Sequence, residues 1–266
     1  MDEKEKPMEK TVLITGASSG IGKACARVFA KKGYQVFDFS RRNVPQAGVV
    51  HIDCDVTDEQ SVARAVASVE RVDILICNAG FGISGAVEFT DGEAASRQMD
   101  VNLFGADRVV RHVLPVMRKQ GGGKIVLVSS VAAVLAIPFQ TWYSASKAAI
   151  LAYGHGLQGE VRPFGIEVCT LLLGDIQSGF TAARNKQAVG DDVYDGRISR
   201  SVARMEHDEQ NGMPSEKAAE KVVRYVTKKH LAPTHTVGVQ YKFFCLLQRI
   251  LPTALVRRIV EMLYAK

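Results

Sequence analysis

Ser129-Ser-Val-Ala-Ala-Val-Leu-Ala-Ile-Pro-Phe-Gln-Thr-Trp-Tyr-Ser-Ala-Ser-Lys147 links an apolar run to a helix-favouring one. Upstream, Lys124-Ile-Val-Leu-Val-Ser129 reads as a buried parallel strand. Downstream, the alanine-rich segment 144–157 favours a helix. Tyr143 and Lys147 stand four residues apart, so a helix projects them from one face. An ammonium fixed there favours phenolate and is expected to bring the tyrosine pKa down from about 10 toward neutrality. Ser130 falls at the mouth of the strand, where open α/β sheets carry their chemistry. Its hydroxyl suits a hydrogen bond to a carbonyl oxygen while Tyr143 exchanges a proton. A second Tyr-x-x-x-Lys, Tyr225-Val-Thr-Lys-Lys229, has no strand-end serine before it and reads as a solvated helix face.

Working outward, apolar runs alternate with helix-period segments. Strands are expected at 12–15, 35–39, 49–53, 73–77, 124–129, 166–173 and 236–239, and helices at 20–32, 57–69, 92–118, 144–157 and 215–229. Thr57 or Asp58 is the expected N-cap of the second helix. This alternation implies a single-domain, Rossmann-type, doubly wound parallel sheet with helices on both faces. A chain of 266 residues with 47% hydrophobic content supports one sizeable core. Residues 1–9 are charged and read as a disordered tail, followed by a catalytic unit over 10–240 and an amphipathic extension over 241–266. Cysteines 25, 54, 77, 169 and 245 are scattered without ligand spacing, which fits a reducing cytoplasm and argues against a metal site or disulfide framework. The net charge of +6 is dispersed without aromatic interleaving, so no nucleic-acid partner is expected. No signal peptide is visible, and no apolar run reaches the roughly 20 residues of a membrane-spanning helix. The six histidines show no partners in the sequence.

The first strand runs into Thr15-Gly-Ala-Ser-Ser-Gly-Ile-Gly22, whose glycines let the backbone approach a pyrophosphate held at a helix N-terminus. A Gly-x-Gly-x-x-Gly also occurs at Gly80–Gly85, but it follows the fourth strand and no helix begins there, so it reads as a flexible loop beside the cofactor. Asn102 and Gly105 are poor interior residues for the long expected helix and mark it as unusual.

Together, Thr15-Gly-x-x-x-Gly-Ile-Gly22, Asn78-Ala-Gly80, Val101-Asn102, Ser130 and Tyr143-x-x-x-Lys147 resemble the classical short-chain dehydrogenase/reductase family, over residues 10–180 and in order. Ser-Ser-Val, Leu-Ala-Ile-Pro-Phe and Trp-Tyr are similar to its 17β-hydroxysteroid dehydrogenase-like branch. The resemblance implies Tyr143 as general acid or base, Lys147 as its activator and ribose ligand, Ser130 as orienter of the substrate oxygen, and Asn102 as anchor of a proton-relay water. It also places Gly16, Ser18, Ser19, Gly20, Ile21 and Gly22 on the cofactor phosphates, and Asp55 and Val56 on the adenine. Asn78, Ala79 and Gly80 would line the cofactor cleft. Gly174, Ile176 and Ser178 would follow the sixth strand, although the family's Pro-Gly is replaced there by Leu173-Gly174-Asp175.

The end of the second strand should choose the cofactor. A carboxylate there serves the ribose 2′-hydroxyl of NAD, whereas this chain has Ser40-Arg41-Arg42, and two guanidiniums can grip a 2′-phosphate. This favours NADP (as NADPH) over NAD. Asp38, on the same strand face as Ser40, is the rival, and the arginines otherwise form a solvated turn.

Residues 179–212 are polar and charged, as expected of a mobile lid. From Val239 onward, two amphipathic stretches broken at Pro252 carry five basic residues against Glu261. Such helices cover a core, make a subunit contact or rest on a membrane surface. The expectation is an NADP(H)-dependent oxidoreductase of a hydrophobic alcohol or ketone, steroid-like or lipid-derived, assembled as a homodimer or homotetramer. The alternative is a non-catalytic dinucleotide-binding redox sensor.

Overall fold

The computed structural model describes residues 10–265; the expected tail at 1–9 lies outside them. Seven parallel strands form one sheet: β1 (Thr11–Thr15), β2 (Gln35–Ser40), β3 (Val49–Asp53), β4 (Ile74–Cys77), β5 (Gly123–Ser130), β6 (Ile166–Leu173) and β7 (Thr234–Val237). Their spatial order is β7-β6-β5-β4-β1-β2-β3. The order reverses between β1 and β4, and an open sheet of this kind gathers its ligands at the carboxyl ends of the strands flanking that point. Central strands are buried on both faces, which is why they read as unbroken apolar runs.

Helices α1 (Gly20–Lys31) and α7 (Ser215–Val226) cover one face. The other is covered by α2 (Glu59–Ala67), α4 (Gly105–Lys119) and α5 (Thr141–Val161). Asp58, not Thr57, caps α2, accepting from the Gln60 and Ser61 amides. A Cβ at Gly154 would run into the Thr170 hydroxyl on β6, so that glycine lets α5 lie close on the sheet. The helix that presents Tyr143 and Lys147 is thereby fixed from behind.

Four expectations need correction. The helix expected over 92–118 is not continuous: α3 (Gly92–Met99) passes into a π turn at Asp100–Phe104 before α4 begins. Asn102 sits in that turn, and a Cβ at Gly105 would lie 2.8 Å from Val56 Cγ2, so both unusual residues have a local cause. Tyr225 is not on a solvated face. It is buried, its hydroxyl accepts from the Ala232 amide at 2.8 Å, and its ring stacks on His235 with centroids 3.6 Å apart. The last strand ends two residues before the expected 239. Finally, the histidines do have partners, among them Asp38 for His51, Glu59 for His112 and Glu167 for His230.

Beyond β6 the chain builds a roof. A helical turn, Phe180–Ala183, leads to α6 (Arg197–Gln210), so the expected lid at 179–212 is largely helical. The Gly80–Gly85 loop contains a two-residue strand, Ile83–Ser84, paired with Asn185–Lys186 of the roof. After β7 come α8 (Val239–Ile250) and α9 (Thr253–Tyr264), broken at Pro252 as expected. Tyr241 packs on Gly174 where any Cβ would collide with its ring, and its hydroxyl joins the Asp175 amide (2.9 Å) and carboxylate (2.8 Å). At the far end, Tyr264 donates to Asp208 at 3.1 Å and Arg197 donates to the Ala265 carbonyl at 2.7 Å.

Candidate active site

The residues singled out from the sequence converge on one cleft of about 1570 Å³ at the carboxyl edge of the sheet. All of them line it except Gly22 and Asn102, which lie directly behind its wall. Gly16 turns with φ +71° and its amide donates to the Phe39 carbonyl at 2.8 Å. A Cβ at Gly22 would strike the Asn78 side-chain amide, so glycine is needed for that approach. The Thr15 hydroxyl accepts from the amides of Asn78 and Ala79, both at 3.0 Å, stitching β1 to β4. Ser19 precedes α1 without a side-chain cap, and the first turn holds no acidic residue. The helix N–H groups therefore face the cleft with their positive end free for a phosphate, and the site fits a dinucleotide.

At the second strand, the rivalry between Asp38 and Ser40 resolves. Asp38 is buried and turned inward: its carboxylate accepts from the Ala17 amide (2.9 Å) and the Ser40 hydroxyl (2.8 Å). It braces the glycine loop and does not line the cleft. Because Ser40 spends its hydroxyl on Asp38, the exposed side chains here are Arg41 and Arg42. Arg41 Nη1 stands 3.8 Å from Asp55, which also accepts from the Thr57 amide and hydroxyl. Burial works against the Asp55 charge, but the Thr57 hydrogen bonds and then Arg41 outweigh it and hold this carboxyl below its usual range.

Deeper in, Tyr143 and Ser130 line the same cleft. Ser130 accepts from the Ala132 amide at 3.1 Å, which fixes its rotamer. Lys147 is buried, donates to the Val128 carbonyl at 2.9 Å and lies 5.7 Å from the Tyr143 ring centre. The expected acidification of Tyr143 is not met among the protein groups alone. Burial pushes its pKa up to about 12, ahead of a smaller lowering by the neighbouring Ser130 hydroxyl. Burial also drives Lys147 down to about 8. Its Nζ is held at a backbone carbonyl, so the ammonium does little for the phenol. Asn102 is fully committed: its Nδ2 donates to Phe81 O (3.0 Å) and Ser146 Oγ (2.9 Å), and its Oδ1 accepts from Phe81 N (3.0 Å). Ser146 in turn donates to the Tyr143 carbonyl at 2.8 Å, so the π turn and the start of α5 are locked together.

Several site residues escaped the sequence reading. Phe180 stacks obliquely on Tyr143 with centroids 5.6 Å apart, and Arg184, paired with Glu209, lies over Phe180. Arg97 sits 5.9 Å above the Phe81 ring at the cleft wall. The largest omission is the tail: Phe244, Leu247, Leu251, Val256 and Val260 make one wall of the same cleft. Amphipathic spacing showed that these helices had an apolar face, but not what it would cover. Among the described residues there is no group of three or more acidic, histidine or cysteine side chains placed to hold a metal.

The pattern of the short chain dehydrogenase family matches residues 10–189. The chain belongs to the short-chain dehydrogenase/reductase family. It is 40% identical over 226 residues to a 3-ketodihydrosphingosine reductase of Bacteroides thetaiotaomicron, covering 82% of this chain and 84% of that one. It is 32% identical over 188 residues to human 17-beta-hydroxysteroid dehydrogenase type 1, covering 64% and 57%. A solved short chain dehydrogenase from Burkholderia cenocepacia in complex with NADP superposes with TM-score 0.77 at 25% identity, covering 94% of this chain and 97% of that one. The short-chain dehydrogenase/reductase assignment accounts for the motif order, and the chain is an oxidoreductase of this family.

Proposed function

We propose that this protein is an NADPH-dependent reductase of a long-chain, lipid-derived ketone. The observation that carries the reading is the convergence of Ser130, Tyr143 and Lys147 inside a cleft that has the glycine loop at one end and an apolar wall at the other. When bound, the nicotinamide supplies hydride to the carbonyl carbon. Tyr143 gives its phenolic proton to the carbonyl oxygen, which becomes the alcohol, and Ser130 holds that oxygen through its hydroxyl. Lys147 would hold the nicotinamide ribose and pass a proton back toward Tyr143, a role suited to an amine whose pKa lies near 8. Asn102 positions the start of α5 through Ser146; because its side chain is committed, a relay water would be held by the backbone of its π turn. Gly174, Ile176 and Ser178 would serve the carboxamide end.

Arg41 and Arg42 favour NADP through charge-assisted bonds to the 2′-phosphate. The NADP in the Burkholderia structure is consistent with this. The reductase named for the Bacteroides relative suggests the substrate class, a ketone on a long alkyl chain, which the apolar tail wall would accommodate. A non-catalytic dinucleotide sensor finds no support, since it has no use for an acid–base set. The test is oxidation of NADPH in the presence of 3-ketodihydrosphingosine, a 17-ketosteroid and a short water-soluble ketone. Highest kcat/KM for the long-chain ketone is expected; preference for the steroid or for NADH would reject this reading.

A further inference from the structure

Most helices here bury one apolar stripe, but α8 carries two. Tyr241, Phe244, Gln248 and Leu251 turn toward the cleft. On another side, Val239, Phe243, Leu246 and Ile250 follow the i, i+4, i+7, i+11 spacing of a single stripe. These four are 81%, 55%, 52% and 68% exposed. Helix α9 repeats the theme with Leu255 and Met262 exposed outside the cleft. Of the twelve large exposed hydrophobic residues of the described chain that do not line the cleft, six lie between Val239 and Met262. Such a concentration marks an interaction surface and not the scatter normal for a soluble face. Lys242, Arg249, Arg257 and Arg258 lie on the same helices, and none forms an ion pair among the described residues. Glu261 is the only acidic residue of α8 and α9.

We propose that α8 and α9 dock the protein on the surface of an anionic phospholipid bilayer, lying in its plane. Each helix has twelve residues, about 18 Å, and no helix of the described chain is long and apolar enough to cross a membrane. Apolar residues flanked by arginine and lysine match the acyl boundary and the anionic headgroups in one element. A second copy fits less well. A two-fold contact sets the same patch against itself, bringing eight basic side chains from four helices to one interface with two glutamates. The cleft is walled by the other side of these helices, so docking would hold it close to the bilayer surface. Docking itself does not depend on the reductase reading.

The experiment is co-sedimentation of the full chain with phosphatidylcholine vesicles, with and without phosphatidylglycerol, at two salt concentrations and without ketone or cofactor. Binding is expected to require phosphatidylglycerol and to weaken with salt. Lys242→Ser and Arg249→Ser should each weaken it about fivefold, and Phe243→Glu with Ile250→Glu should abolish it. NADPH affinity should stay unchanged in every variant, since none of the four residues lines the cleft, and this shows that the variants are folded. Wild-type protein that stays in the supernatant with both vesicle types, or vesicle binding that survives the double glutamate variant, overturns the proposal. So does a concentration-dependent dimer, seen in sedimentation velocity, that the glutamates break while vesicles bind nothing.

Discussion

The mouth of β1, β2, β4 and β5, with the start of α5, and the roof formed by α6, α8 and α9 enclose the same cleft but are built by different means. At the mouth, backbone groups and short side chains interlock: Thr15 holds Asn78 and Ala79, and Asp38 holds Ala17 and Ser40. The strands beneath are buried. In the roof, α6 is anchored by buried Ile198 and Met205, whereas α8 and α9 are attached by a few side-chain ties at their ends, Tyr241 to Asp175, Tyr264 to Asp208 and Arg197 to Ala265, with half-exposed apolar residues between them. A phosphate or a transferred proton requires donors held within tenths of an ångström, and that demands a particular residue at a particular position. An alkyl chain requires apolar area, which many residues supply equally well. On the proposed function, chemistry is concentrated in the rigid region and substrate reach in the loosely tied one.

The strongest way to break this contrast is at its rigid end. Tyr143→Phe should lower kcat by about 10²–10⁴-fold while leaving NADPH affinity intact by fluorescence titration. Retention of more than about a tenth of the activity would remove Tyr143 from its role. The matching control, Tyr225→Phe, should spare turnover yet cost about 1 kcal/mol of stability through the lost bond from Ala232.

A second expectation uses the buried amine. Lys147 titrates near 8 in the fold against its ordinary 10.5. Between those values the unfolded chain binds more protons, so the wild type gains stability as pH rises from about 8 to about 10.5. Lys147→Met removes that slope. Chemical denaturation of both proteins across this range should show the wild type gaining on the variant by roughly 2–3 kcal/mol; parallel curves would mean that the amine is not desolvated.

The cofactor end gives a smaller change. Arg41→Ala should weaken NADPH about ten- to a hundredfold, the value of one charge-assisted bond, and hardly alter NADH. Equal loss of both would reduce Arg41 to a turn residue paired with Asp55.

The loosely tied region should respond least and most selectively. Leu247→Ala with Val256→Ala trims the cleft wall, and at ~25 cal/mol per Å² it should cost several-fold to about tenfold in kcat/KM for a long-chain ketone. A short ketone should be turned over as before. A uniform loss on both substrates would mean that the roof positions the chemistry as well as the chain.

Much of the mouth was legible because period and punctuation carry it. Buried strands read as apolar runs, and the glycine loop, Ser130, Tyr143 and Lys147 are local in sequence and specific in type. Asn102 was visible as an anomaly, although the π turn that explains it depends on Phe81, Ser146 and Val56 from other elements. The pairing of Arg184 with Glu209, spanning 25 residues, had no periodic signal at all.

By itself the sequence determined the parallel sheet and the family, and it proposed the acid–base set, since all three readings rest on short-range spacing. Only the tertiary structure decided where the Asp38 carboxylate points. Asp38 and Ser40 share a strand face, and the Ala17 amide, which comes from another loop, turns Asp38 inward. It also decided that Tyr225 is buried and that the tail walls the cleft. Amphipathic periodicity specifies that a helix has an apolar face; what that face meets is set by packing between elements far apart in the chain.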